Sequence, residues 1–345
     1  MKNRNASFEL LRIICMFMIV VYHIFIKAYH PIVENSAGYG MMMFPLHISV
    51  VCFVLISGYF GIKFSFKKLI LLLSQIIFYN VLCYVVSSLC LDSFTFKEFV
   101  KSFLPLTYNQ DLWFIRTYII LFLLAPIINK YIEFTPPHQY KVMCIILAFI
   151  SVYLGIKSED ASLNGGKNIV NFFFIYFLGH GIRMKYFFST LTLKSWIMIY
   201  LGFNILECTI IYLSLGHRLA VWLYTYGWTY NSPLLIINAI SFFMIFSKLR
   251  IESHFISSVA RSVFPVYLIH SNLNVQNVLW PIVKSMYCGN LLIANIIVAS
   301  FIMLMCILID KLMTPCYHKI GKCLINNIIL CESIYEKKYI SNQCS

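Results

Sequence analysis

Long apolar runs separated by short polar segments make up most of the chain. Ten runs approach the length of about 20 residues that an α-helix needs to cross the hydrocarbon core of a bilayer. They are Phe8–Ala28, Met41–Ile62, Leu69–Leu91, Leu112–Tyr131, Tyr140–Ile156, Ile169–Met184, Trp196–Leu215, Pro233–Phe246, Val263–Val283 and Leu291–Leu312. This pattern predicts an all-α fold, a polytopic membrane helix bundle with about ten transmembrane helices.

The composition agrees with this prediction. Hydrophobic residues fill 60% of the 345 positions, charged residues fill only 12%, and the mean hydropathy is +0.80. A soluble domain needs a more polar surface, so the composition excludes that class. No linker rich in proline, glycine or serine divides the chain. We expect one membrane domain over residues 1–312, followed by a basic cytoplasmic tail over residues 313–345 that can lie on the membrane as an amphipathic helix.

Lysine and arginine residues fall unevenly on the two sides of the predicted bundle. With the N-terminus inside, 18 of the 27 lie in cytoplasmic segments, which supports the prediction that both termini are cytoplasmic. The net charge of +14 then reflects topology and contact with anionic membrane lipid, and it gives no reason to expect nucleic acid binding. We expect a multi-pass protein of a cell membrane, with the bacterial plasma membrane as its location.

Arg12 and His23 are the most informative polar residues, because an ionisable side chain inside an apolar span is costly. Their eleven-residue spacing equals three helical turns plus about 20°, which places them on one helix face about 16 Å apart. Glu9 precedes Arg12 by three positions, so the two can pair on adjacent turns. Two structural interpretations remain open: a headgroup anchor formed by Glu9 and Arg12, and a buried neutral His23 bonded to a neighbouring helix.

Other polar side chains also fall inside the predicted spans. His47, His180 and His270 lie in the second, sixth and ninth spans. The spacings typical of helical zinc sites, H-E-x-x-H and H-x-x-E-H, do not occur in the sequence, so we predict no metal site. At the fourth span, Asp111 and Arg116 lie close enough in sequence to satisfy each other's charge.

Six short patterns follow one another along most of the chain. They are Glu9-Leu-Leu-Arg12, the Arg12 to His23 spacing, Phe53 followed by Ser57-Gly58, Leu112-Trp113-Phe114, Leu124-Ala125-Pro126, and Tyr267-Leu268-Ile269-His270. In these patterns, and in their order within a ten-span chain, the sequence resembles the integral membrane acyltransferases of the acyltransferase-3 group.

The resemblance implies transfer of an acyl group, commonly acetyl, to a sugar hydroxyl of a surface polysaccharide or its lipid-linked precursor. The implied donor is cytoplasmic acyl-CoA, which is a substrate, so no permanently bound cofactor is expected. One departure concerns the loop after the second span. Many members carry paired arginines there, whereas this chain has Lys63, Lys67 and Lys68. A lysine can hold a phosphate but lacks the bidentate fork of arginine.

The residues and the resemblance together predict a set of roles. The expected catalytic residues are His23, Arg12 and Glu9, the substrate-binding residues are Arg116, Trp113, Tyr267 and His270, and the donor-binding residues are Lys67 and Lys68. His23 suits a general base, since the imidazole pKa lies close to working pH. An acyl-histidine intermediate is the alternative route.

A transporter or flippase for a lipid-linked sugar is the competing function, because it also explains polar side chains within the membrane. It predicts broken helices and paired halves, and we find neither in the sequence, which also has no obvious internal repeat. A purely structural membrane partner does not explain the cost of Arg12 and His23. Aromatic residues alternate at Tyr224, Tyr226, Trp228 and Tyr230, which fits either an interfacial belt or a platform for sugar rings.

Overall fold

The computed structural model describes residues 5–29, 37–155, 163–188, 190–214, 227, 229–286 and 291–343. It is 85% helical, and the described residues form no strand, which confirms the all-α prediction. Within the described part of the chain, seven helices are long and apolar enough to cross a membrane. Two shorter apolar helices, Ile169–Arg183 and Pro233–Lys248, accompany them. The molecule is a multi-pass membrane protein.

The helices are numbered here in chain order. They are α1 Ala6–His23, α2 Ala37–His47, α3 Ser49–Phe60, α4 Phe66–Cys90, α5 Phe96–Ser102, α6 Pro105–Tyr108, α7 Trp113–Phe134, α8 Pro137–Ala148, α9 Ile169–Arg183, α10 Leu193–Ser214, α11 Pro233–Lys248, α12 His254–Ala260, α13 Val263–His270, α14 Leu273–Ser285 and α15 Leu291–Gln343. A π-helical turn, Ile24–Tyr29, continues α1.

Helix α1 lies at the centre of the bundle. Its N-cap is Asn5, whose side chain accepts a hydrogen bond from the Ser7 backbone N–H and so satisfies one of the free donors of the first turn. The helix packs against α2, α3, α11, α12, α13 and α15. One apolar cluster joins α1 to α3, α9 and α11, and a second joins it to α4, α13 and α15. The α1 face that carries Arg12 and His23 is therefore surrounded by other helices.

Helices α3 and α9 approach until their backbones touch. A Cβ atom built on Gly58 would lie 2.1 Å from the Tyr176 carbonyl oxygen, and one built on Gly179 would lie 2.3 Å from the Leu55 carbonyl oxygen. Only glycine fits at these two positions, and small residues of this kind allow helices to pack closely in a membrane. The Ser57-Gly58 pattern is thus explained in part by packing.

The predicted ninth span is two helices, α13 and α14, which are separated at Ser271 and Asn272. The polar groups at the break form hydrogen bonds with buried partners. Asn272 donates to the Asn80 side-chain oxygen at 2.7 Å, and Asn80 donates to the Ser102 carbonyl at 2.6 Å. Gln276 donates to the Ser271 carbonyl at 2.9 Å. The prediction of a single span passed over this break, although polar residues around Asn272 mark it in the sequence.

The last helix crosses the expected domain boundary without interruption. Helix α15 runs from Leu291 to Gln343 and contains Pro315. The membrane domain over residues 1–312, the separate tail over residues 313–345 and the cytoplasmic position of both termini stay predictions.

Candidate active site

A cavity of about 400 Å³ extends along α1 and is called here the first chamber. Arg12 and Arg261 line one end of it, and His23 and Trp113 line the other. The wall between these ends is largely apolar, with side chains such as Met16. The structure thus places Arg12 and His23 in the wall of one cavity, in agreement with the shared helix face that their spacing predicts.

A second cavity of about 430 Å³, called the second chamber, begins where the first ends. Lys27, Lys167 and Gln276 line only this second chamber. The residues that line both chambers are Tyr22, His23, His47, Asp111, Trp113 and Tyr230. The two chambers therefore meet at His23, the first along α1 from Arg12 and the second from the π-helical turn that follows α1.

Hydrogen bonds fix the tautomer of His23. Nδ1 of the fully buried His270 lies 2.6 Å from the Val266 carbonyl oxygen, which only accepts, so this nitrogen carries a hydrogen. In the neutral imidazole, Nε2 of His270 is then an acceptor. Nδ1 of His23 lies 3.0 Å from it and must donate. Among the described residues, nothing donates to the Nε2 lone pair of His23, and this ring lines both chambers.

The break between α13 and α14 adds a hydroxyl to the histidine pair. The Ser271 Oγ atom lies 3.3 Å from Nε2 of His270 and 3.5 Å from Nδ1 of His23. Because α13 ends at His270, the imidazole and the hydroxyl that follows it both face the end of α1. The break thereby holds the ring that orients His23.

Glu9 holds Arg12 at the wall of the first chamber. The guanidinium Nη1 donates to Glu9 Oε1 at 2.7 Å, which confirms the predicted pair between adjacent turns. The side chain of Glu9 is 5% exposed and that of Arg12 is 31% exposed. The carboxylate is therefore enclosed by protein, while part of the guanidinium fork faces the cavity.

Arg261 is a second cation at the Arg12 end that sequence reasoning did not single out. It follows α12, and its Nε donates to the Ser257 carbonyl at 3.4 Å. In the sequence it was one basic residue among many at predicted helix ends, with no sign that it lines a cavity. Lys67 and Lys68, which were expected to hold the donor, are exposed and do not line either chamber.

The residues expected to bind the acceptor lie in different places. Trp113 lines both chambers, and Tyr267 lines the first, where its hydroxyl donates to the Asp111 carbonyl at 3.1 Å. Arg116 is not among the residues that line either chamber. His270 lies behind His23 and does not line them either. His270 contacts His23. This position suits a residue that orients the His23 ring better than one that binds a sugar.

Aromatic rings line the region that the two chambers share. His47 stacks on Tyr230 with ring centroids 4.3 Å apart, and Trp113 lies 5.2 Å from the same tyrosine ring. The Tyr230 backbone N–H donates to the Gly165 carbonyl at 2.9 Å, which ties this residue to the neighbouring loop. The structure places Tyr230 in a cavity wall, where an aromatic face can pack on a sugar ring. Its sequence neighbours Tyr224, Tyr226 and Trp228 lie outside the described residues.

The titratable groups at the second chamber surround Asp111. Its Oδ1 lies 3.4 Å from the Lys27 ammonium, and its Oδ2 accepts a hydrogen bond from Gln276 at 3.1 Å. Enclosure lowers the pKa of Lys167, with repulsion from Lys27 acting in the same direction and Asp111 opposing it. Across the described residues, no three histidine, cysteine or acidic side chains converge as they would around a metal ion.

Comparison with known proteins gives one match. No curated protein and no solved structure matches the chain. The family model of the acyltransferase domain, acyltransferase-3, matches residues 5–310, which include α1, both chambers and the histidine pair. The chain therefore belongs to the acyltransferase-3 family and is a membrane acyltransferase.

Proposed function

We propose that the protein transfers an acyl group, acetyl in the simplest case, from acyl-CoA to a hydroxyl group of a cell-surface polysaccharide or its lipid-linked precursor. One observation carries this proposal. Two chambers meet at His23, the first along α1 from Arg12 and the second from the turn after α1, and the His270 contact leaves the lone pair of His23 on Nε2. Two substrates that enter from opposite sides can meet at such a base.

The first chamber suits the donor. The phosphates of CoA are anionic, and Arg12 and Arg261 stand at the same end of this chamber. The positive-inside rule assigns that end to the cytoplasm, where acyl-CoA is present. The apolar wall along α1 then accommodates the pantetheine arm, which extends over about 16 Å between Arg12 and His23. The thioester arrives beside His23.

The second chamber suits the acceptor, because its aromatic wall can pack on a sugar ring. His23 Nε2 removes the proton of the acceptor hydroxyl, and the oxygen attacks the thioester carbonyl. The C–S bond then breaks, CoA leaves as the thiolate, and the imidazolium returns the proton to the sulfur. General base catalysis of this kind contributes about 10²–10⁴-fold to a rate. Direct attack by Nε2 on the thioester, with an acyl-histidine intermediate, is compatible with the same lone pair.

A transporter of lipid-linked sugar is the second candidate function, and the division between α13 and α14 favours it. Broken helices beside a binding site are common in transporters. Transport predicts a protein whose action is independent of acyl-CoA. Acyl transfer predicts a chemical change in the sugar.

Mass spectrometry of surface polysaccharide tests the proposal in cells that lack the protein. The cells are complemented with wild type, with His23→Ala, or with His138→Ala as a matched control, since His138 is exposed and away from both chambers. We expect the acyl mass increment to return with wild type and His138→Ala only, at equal membrane levels of all three proteins. Unmodified sugars in every strain, with polysaccharide lost or shortened without the protein, would establish transport.

A further inference from the structure

Among the described residues, those that line the second chamber carry more positive than negative charge. Two lysines, Lys27 and Lys167, line it together with one carboxylate, Asp111. Asp111 is already engaged, because its two oxygens contact Lys27 at 3.4 Å and Gln276 at 3.1 Å. Among the described residues, no carboxylate lies within 4.0 Å of the Lys167 ammonium. This chamber therefore has a cation without a close anionic partner in the described part of the chain.

The Lys167 ammonium is held beside an aromatic face that lines the same chamber. It lies 5.5 Å from the centroid of a Trp113 ring, within the range of a cation–π contact. Enclosure lowers the pKa of Lys167, while Asp111 opposes this shift and Lys27 adds to it. The net effect disfavours the charged ammonium, and a bound anion would reverse it.

The backbone that carries Lys167 is also fixed. Gly166 has a positive φ of 79°, and a Cβ atom at this position would lie 2.6 Å from the Asn231 backbone nitrogen. The Gly166 carbonyl accepts a hydrogen bond from the Asn171 side chain at 3.0 Å. Asn171 also donates to the Tyr230 carbonyl at 3.2 Å. The loop before Lys167 is thus locked to the segment that carries the aromatic wall.

We propose that the second chamber selects an anionic acceptor, a sugar with a carboxylate or phosphate group, and that Lys167 is the residue that contacts this anion. Lys167 lines the same chamber as His23 and as Lys27, which lies four residues beyond His23. The anionic group and the hydroxyl that reacts are therefore on the same sugar unit or on adjacent units. The proposal rests on the acyl transfer described above and names the acceptor class for that site.

Three probes distinguish the sources of the anion. Methyl glucuronide carries a ring carboxylate, glucose 1-phosphate carries a phosphate, and methyl glucoside is the neutral match. Binding of each is measured by titration calorimetry to the full chain in nanodiscs of zwitterionic lipid, which removes competition from anionic headgroups. The variants are wild type, Lys167→Gln and Lys284→Gln. Lys284 is a matched control because it is exposed on α14 and lines neither chamber.

We expect wild type and Lys284→Gln to bind at least one anionic probe at least tenfold more tightly than the neutral probe, and Lys167→Gln to lose that difference. Preference for the glucuronide indicates a sugar acid, and preference for the phosphate indicates a phosphorylated or lipid-linked sugar. Equal affinity for all three probes, absence of binding by both anionic probes, or a preference that survives Lys167→Gln would overturn the proposal.

Release of CoA thiol from acetyl-CoA, measured on the same samples, separates this proposal from the proposed reaction. Anion-selective binding that depends on Lys167, without thiol release for any acceptor, contradicts acyl transfer but leaves the anion site intact. Thiol release with equal KM values for neutral and anionic acceptors supports the reaction and contradicts the anion site.

Discussion

Nδ1 of His23 lies 3.0 Å from Nε2 of His270, although the two residues are 247 positions apart in the sequence. One comes from the end of α1 and the other from the end of α13. The bond from His270 Nδ1 to the Val266 carbonyl makes the second ring an acceptor, and this acceptor sets the tautomer of the first. His270 is therefore a positioning residue for His23.

Removing this contact tests the positioning role. We expect His270→Ala to lower kcat about 10- to 100-fold, the range found when a partner that orients a metal-binding histidine is removed. KM for acyl-CoA should change little, because His270 lines neither chamber. The measurement is a steady-state assay of CoA thiol release across a range of pH. His270→Gln, whose amide oxygen can accept from His23, should recover part of kcat. Equal losses in both variants with an unchanged pH profile would indicate a purely structural role.

Arg12 is expected to require its planar fork. Because one side of the guanidinium is held by Glu9 at 2.7 Å, Arg12→Lys leaves too few oriented donors to hold the carboxylate and a substrate group together. We expect Arg12→Lys to lose most of its activity at an unchanged membrane level, as measured by thiol release and immunoblotting. Activity close to that of wild type would show that a point charge suffices and would favour an anchoring role.

Arg261 is expected to contribute to donor binding, and Lys67 is not. Arg261→Gln should raise KM for acetyl-CoA about tenfold, which corresponds to about 1.4 kcal/mol. KM for acetyl-pantetheine, which lacks the nucleotide phosphates, should not change. Lys67→Gln is the matched control, since Lys67 is exposed and lies outside both chambers. A larger rise in KM for acetyl-CoA from Lys67→Gln than from Arg261→Gln would indicate that the donor phosphates bind near the loop after α3.

Gly58→Ala is expected to destabilise the bundle. The added Cβ atom would lie 2.1 Å from the Tyr176 carbonyl oxygen, so α3 and α9 must separate. Overpacking of this kind costs about 1–3 kcal/mol, and here the obstacle is backbone. A thermal melt in detergent measures the effect as a lower Tm. Gly202→Ala is the control, because a Cβ atom on Gly202 meets nothing within 4 Å and should leave Tm unchanged or raise it. Equal Tm values for both variants would contradict the close α3–α9 contact.

The sequence was sufficient to predict the features that depend on local spacing. The all-α class follows from the length of the apolar runs, and the Glu9–Arg12 pair follows from a three-residue spacing. The position of Arg12 and His23 on one cavity wall follows from helical periodicity. In each case one helix, considered alone, contains the necessary information.

Other features of the site depend on contacts between distant segments. The inward position of Arg261, the placement of Tyr230 in the chamber wall and the contact between His23 and His270 each require knowledge of which helices are neighbours. The break at Ser271 escaped prediction for a different reason. Its polar groups are satisfied by Asn80 and Gln276 within the bundle, so the flanking sequence did not need the glycine or proline that usually marks a helix end.

The meeting of the two chambers at His23 has an electrical consequence. When water fills both chambers, the insulating layer of the membrane at this point is reduced to the side chains shared by the two walls. Most of the transmembrane voltage then falls across that thin layer. The free energy of an elementary charge that crosses the full voltage changes by about 2.3 kcal/mol per 100 mV. A proton that enters or leaves the His23 ring would then move within this concentrated field.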